Sequence, residues 1–293
     1  MNELEVMRRP RSWRLLFVLL AALLLPACRN DRGEFNAFET AIVMDDGRTT
    51  LFTANRGSYV YRGGDGWGKG AREFTSDELL IGTYDLETGE TDVLHVEDAA
   101  WGANGQSGFT IVSTRGTRAV LRRYVASQVR EASRAGWYEL DVATGELAHL
   151  KLEGPGVGEV VSTYLVSDAG DLLVLSKPVP EQQRYTLAVR RPDGSWRDVA
   201  SDAQYRGVRE GELFFWVPQE RIQAWSLATG ARRAAHPREL VGLDHERESK
   251  PTAAVMPRDI RRDSGSYLQL YPDRGDSSVS RRLALAVEDL PRD

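Results

Sequence analysis

Past residue 35 the chain is a succession of short apolar and alternating runs broken by polar turns, with no long helical stripe. Five segments share one plan: an apolar-aromatic run, then an Asp- or Thr-containing turn closed by glycine. They are LLIGTYDLETG (79–89), GWYELDVATG (136–145), RYTLAVRRPDG (184–194), RIQAWSLATG (221–230) and GSYLQLYPDRG (265–275). The closing glycines, Gly89, Gly145, Gly194, Gly230 and Gly275, are spaced by 56, 49, 36 and 45 residues. Alternation predicts strands with one face turned inward. An Asp or Thr that bonds its own backbone, followed by a Gly that takes positive φ, predicts a tight hairpin turn. A return strand follows each turn, and a further strand pair precedes most of them, as in VVSTYLVSDAG and DLLVLSK within 160–177.

Four strands per unit, recurring every ~40–50 residues, is the pattern of a β-propeller blade. The expected fold is all-β: a β-propeller with units at about 36–98, 105–153, 158–201, 204–236 and 238–288, hence five blades of four antiparallel strands. A six-bladed form or a β-sandwich are the alternatives. YDLETGE and YELDVATGE resemble the repeats of WD40-like, TolB-like and quinoprotein-like propellers. That resemblance implies architecture and no particular activity. Residues 118–134 place apolar residues at helical spacing, but the next repeat starts at Gly136. A strand over 119–125 and a polar loop are therefore expected.

The N-terminal pattern is different. Arg8, Arg9, Arg11 and Arg14 precede the wholly apolar run LLFVLLAALLL (15–25). The run is shorter than the ~20 residues of a membrane span and suits the apolar region of a signal peptide. Leu25-Pro26-Ala27-Cys28 follows, and Cys28 is the chain's one cysteine. LPAC resembles the lipobox of bacterial lipoproteins, which implies cleavage before Cys28 and lipidation of its thiol. The expected organisation is a signal peptide (1–27), a lipidated Cys and short tether (28–35) and one propeller domain (36–293). The resemblance further implies an exported, membrane-anchored protein, and Arg29 after the cysteine implies outer-membrane rather than inner-membrane retention. A lone cysteine excludes an intramolecular disulfide, so the domain depends on its core.

Charge narrows the partners. Losing the four basic and two acidic residues of 1–27 leaves 34 basic and 41 acidic residues, net −7. Such a balance argues against nucleic acid as a partner. Seven Trp and ten Tyr suit a sheet-rich interior.

Candidate chemistry is sparse. The longest expected loop, 55–78, holds Tyr59, Tyr61 and Trp67 among glycines and charges, the composition of a contact surface. Gly63, Gly64, Gly66, Gly68 and Gly70 do not make a phosphate loop, because no Lys-Ser/Thr ending or helix follows. Asp45, Asp46 and Asp65 lack the spaced oxygens of a calcium loop. His95, His149, His236 and His245 form no close metal pair, and no GxSxG elbow occurs. No catalytic residue, metal or cofactor is assigned. The expected function is a membrane-tethered binding or scaffold module of the cell envelope, with a protein or glycan partner. The alternative is a secreted carbohydrate-active hydrolase or lyase using paired carboxylates on the propeller axis.

Overall fold

The computed structural model describes residues 31–62, 71–98, 107–125, 134–177, 185–218, 220–240, 243, 252–257, 266–271, 281–286 and 290. Its strands form antiparallel meanders in chain order. The first joins β1 (Asp31–Val43), β2 (Thr49–Arg62), β3 (Ala71–Asp85) and β4 (Thr91–Asp98). The second joins β5 (Gly108–Arg115), β6 (Arg118–Tyr124), β7 (Gly136–Asp141) and β8 (Leu147–Leu150). A seven-stranded sheet follows: β9 (Glu159–Leu165), β10 (Leu172–Lys177), β11 (Tyr185–Arg190), β12 (Trp196–Arg209), β13 (Glu212–Val217), β14 (Arg221–Ser226) and β15 (Arg232–Ala234). It is two meanders sharing β12, whose first half pairs with β11 and second half with β13. The last described sheet is β16 (Thr252–Pro257), β17 (Ser266–Tyr271) and β18 (Arg281–Ala286).

Stacking explains the apolar runs. On one face of the first meander Leu51, Leu79 and Ile81 pack against Phe109, Ala119, Leu121 and Leu140 of the second. On its other face Phe52, Ala54 and Leu80 pack with Phe38, Val43, Tyr84 and Leu290. The second meander meets the third through Val120, Trp137, Leu150, Leu165, Leu172 and Val174. The third meets the fourth through Leu173, Leu175, Leu187, Leu213, Phe215 and Trp225. Neighbouring residues such as Leu51 and Phe52 thus serve opposite faces, because successive side chains of a strand alternate. A two-sheet sandwich buries one face of each sheet; here the first three meanders are covered on both. Leading strands adjoin, with β1 beside both β5 and β16 and β5 beside β9. Meanders stacked face to face around their leading strands form a β-propeller with open sheets.

The repeated turns owe their shape to local hydrogen bonds. In the first, Gly89 N donates to Asp85 O at 2.9 Å, and Glu87 N and Thr88 N donate to Asp85 Oδ1 at 2.8 and 2.9 Å. In the second, Gly145 N donates to Asp141 O at 2.8 Å, with Ala143 N and Thr144 N on Asp141 Oδ1. Ser226 replaces the aspartate in the fourth meander, where Gly230 N donates to Ser226 O and Thr229 N to its hydroxyl. Gly89, Gly145 and Gly230 lie at φ 76°, 73° and 75°, the left-handed region that penalises a Cβ. Gly275 lies outside the described residues.

One expectation changes. Residues 55–62 and 71–78 are strand rather than loop: β2 and β3 pair from Thr49↔Asp85 to Arg62↔Ala71, with one bulge between Ser58 and Tyr59; residues 63–70 lie outside the described residues. The strand formers Tyr59-Val60-Tyr61 and Phe74 extend the ladder, and the glycine cluster is confined to 63–70. Strand β1 begins at Asp31, which pairs with Tyr61. The competing segment near 118 is strand β6, hydrogen-bonded to β5 and β7 along its length.

Candidate functional site

The strand directions divide the domain into two ends. One bears the tight turns; the other bears the links β2–β3, β4–β5, β6–β7 and β10–β11. The turn end is cross-linked. Gly116 N donates to Asp45 Oδ2 at 3.0 Å, and Arg115 pairs with Asp168 at 2.7 Å, so each turn is fixed to the next meander's. Arg191 bridges Asp171 at 3.2 Å and the carbonyl of Leu227. Asp46 serves its own turn, its Oδ1 accepting from Arg48 N and Thr49 N, both at 2.9 Å. That is turn chemistry, as the sequence pattern indicates.

At the connection end a polar cluster lies in the seam between the first two meanders. Glu39 sits at a bulge in β1, between the pairs Phe38↔Ala54 and Thr40↔Thr53. A bulge re-aims a side chain. The Glu39 carboxylate accepts from Asn55 Nδ2 at 2.9 Å and from the Tyr124 hydroxyl at 3.0 Å. Asn55 also donates to Ser107 O at 3.3 Å, and the Thr53 hydroxyl to Phe109 O at 2.8 Å. Tyr124 lies flat over Gly108, where a Cβ would stand 2.4 Å from the tyrosine oxygen. Burial raises the proton affinity of Glu39 and outweighs the Tyr124 hydrogen bond, which lowers it. Burial, with the charge and hydrogen bond of Glu39, holds the Tyr124 hydroxyl protonated well above its ordinary range.

A second group lies beside it. Arg123, with 1% of its side chain exposed, pairs with Glu97 at 2.7 Å. Its guanidinium stands 5.9 Å from the centre of the Phe109 ring. Burial works to raise the Glu97 pKa, but the neighbouring His95 ring, 3.8 Å away, and the charges of Arg123 and Arg134 bring it below the ordinary value. His95, Phe109, Tyr138 and His149 form an edge-to-face series with centroids 6.4, 5.7 and 5.0 Å apart. Farther out, Arg56 bonds Glu78 at 2.7 Å and the carbonyl of Leu290 at 3.3 Å. These groups rivet the seam: donors and acceptors meet across strands that the apolar core alone would let slide. No group of three or more His, Cys, Asp or Glu suited to a metal occurs among the described residues.

The sequence-derived contact residues lie at this same end. Tyr59 and Tyr61 are in the distal half of β2, Tyr59 paired with Gly33 and Phe74, Tyr61 with Asp31 and Arg72. Trp67, Cys28, Asp65, His245 and the signal segment lie outside the described residues. His236 closes a surface turn, its Nδ1 accepting from Arg238 N at 3.2 Å. Glu39, Asn55, Arg123 and Tyr124 were not singled out by sequence. The available signal was a carboxylate inside the otherwise apolar run FNAFETAIV. Among the described residues, no helix is long and apolar enough to cross a membrane.

No family model matches the chain, and neither does any curated protein. Among solved structures, the β-propeller domain of the Trilobed protease from Pyrococcus furiosus is similar over 85% of this chain and 70% of its own, at 11% identity and TM-score 0.39. Oligogalacturonate lyase from Vibrio parahaemolyticus is similar over 87% and 86%, at 15% identity and TM-score 0.30. Acylaminoacyl peptidase from Pyrococcus horikoshii is similar over 80% of this chain and 44% of its own, at 11% identity and TM-score 0.36. At these scores the likenesses are loose, and the fold rests on the pairings and stacking given above.

Proposed function

We propose that the protein is an exported lipoprotein, anchored through Cys28, whose propeller is a binding or scaffold module of the cell envelope. The observation that carries this reading is the arm formed by the distal halves of β1, β2 and β3. β4 leaves the sheet at Glu78↔Asp98, while β2 and β3 continue to Arg62↔Ala71 and β1 to Asp31. The arm extends past β4 and past the start of the second meander at Ser107, and begins three residues after Cys28. It is the contact element, carrying Tyr59 and Tyr61, with Trp67 in the link that follows. The hydrogen bonds of Glu39 and Asn55 join its base to the second meander.

The test is metabolic labelling with an alkyne fatty acid, followed by fractionation, in cells expressing the wild type or Cys28→Ala. The wild type is expected to take label and sediment with membranes, and the variant to do neither. An unlabelled wild type overturns the reading. Replacing Tyr59, Tyr61 and Trp67 together by serine is expected to remove the contact and leave the melting temperature in place.

A further inference from the structure

The arm and the anchor share one end of the molecule, and that fixes what the arm meets. Asp31 is three Cα–Cα steps from Cys28, a reach of about 11 Å at full extension. Asp31 is in register with Tyr61 and, through it, with Arg72. The second meander begins level with Asn55, as the bond from Asn55 Nδ2 to Ser107 O shows. From Asn55 to Arg62 is seven residues, about 23 Å of strand. The lipid-bearing residue is therefore tethered within about 11 Å of the end of a three-stranded arm that runs on past the start of the second meander.

The tip has the composition of a membrane interface. Its rungs bring together Gly33, Tyr59 and Phe74, then Arg32, Val60 and Glu73, then Asp31, Tyr61 and Arg72. Residues 31–33, 59–62 and 71–74 hold three arginines against two acids, in a mature chain that is otherwise acidic. Tyrosine and arginine suit the headgroup layer, where an apolar body and a polar tip are both solvated. Basic residues add attraction to anionic headgroups within a Debye length of the surface.

We propose that the paired tip of β1, β2 and β3 lies in the headgroup layer of the membrane that bears the lipid on Cys28. This rests on the lipoprotein reading and names the bilayer as what its contact element touches. The domain then stands on its arm, with the connection end toward the membrane and the turn end away from it. The acyl chains supply insertion, and the arm supplies orientation.

The test uses the lipidated full-length protein. Its Cys28 sulfur is blocked by lipid, so an introduced cysteine is the one free thiol. Arg62→Cys and Arg72→Cys place an environment-sensitive fluorophore at the tip on two strands. Ala143→Cys places it on an exposed turn at the opposite end. The proteins are reconstituted in vesicles of phosphatidylethanolamine and phosphatidylglycerol containing a headgroup spin-labelled lipid. Both tip probes are expected to be quenched at least twofold more than the Ala143→Cys probe. Equal quenching in a protein that carries the fatty-acid label overturns the membrane contact and leaves the anchor standing. Absence of the fatty-acid label at Cys28 overturns both.

Discussion

Leu290 ties the end of the chain to its beginning, and its loss has a calculable cost. Its side chain is 2% exposed within the cluster of Phe38, Val43, Phe52, Ala54, Leu80 and Tyr84. Its carbonyl accepts from Arg56, which is itself held by Glu78. Leu290→Ala keeps that carbonyl and removes only apolar contact. Buried Leu→Ala changes cost about 2–5 kcal/mol, and Leu290, in a bend outside the described strands, has surroundings that collapse more readily than those of a mid-sheet site, so about 2–3 kcal/mol is expected. At ~2–4 °C per kcal/mol for a domain of this size, the melting temperature falls by about 5–10 °C. Thermal unfolding by circular dichroism measures it, with Leu290→Met as a volume-keeping control that costs less than about 1.5 kcal/mol. A fall of under about 1 °C for Leu290→Ala would refute the packing of the chain end on the first meander.

Burial raises the Glu39 pKa, so folding favours its protonated form. Its stabilising contribution is complete below the ordinary carboxylate pKa and is lost as pH rises through the folded value. Glu39→Gln removes the buried charge, keeps its amide oxygen as the acceptor for Asn55 and turns its NH2 to the Tyr124 hydroxyl oxygen, which can accept from it. Its urea midpoint should equal or exceed the parent's at pH 7.5, and the advantage should vanish at pH 4; a larger loss at pH 7.5 than at pH 4 would contradict this. Gly108→Ala drives a Cβ into Tyr124 and should cost about 1–3 kcal/mol by chemical denaturation, with the Glu39 hydrogen bond lost. Gly145→Ala forces a side chain to φ 73° and should cost about 1–2 kcal/mol in the same assay.

What could be read from sequence was what is local. The turns at Asp85, Asp141 and Ser226 are written within five residues each, so their chemistry was legible without the fold. Strand β6 was legible because the next repeat left no room for a helix. The arm was not: five glycines between 63 and 70 suggested a loop, while the strand formers on either side were the stronger signal. Glu39 was not legible either, since its partner Tyr124 is 85 residues away and only the stacking brings them together. Nor was the shared strand β12, read as two units broken near residue 202. There the chain turns through Asp202 at φ 56° and continues without leaving the sheet.

That shared strand has a kinetic consequence. Because β12 hydrogen-bonds to β11 at one end and β13 at the other, neither of its meanders can open without fraying the other's ladder. In native-state hydrogen exchange the amides from β9 to β14 should open as one cooperative unit. The first two meanders, joined to each other by a connection and a seam of side chains, can exchange separately. The molecule then unravels in blocks set by where the backbone pauses between sheets, and its slowest-exchanging block is the one with no pause.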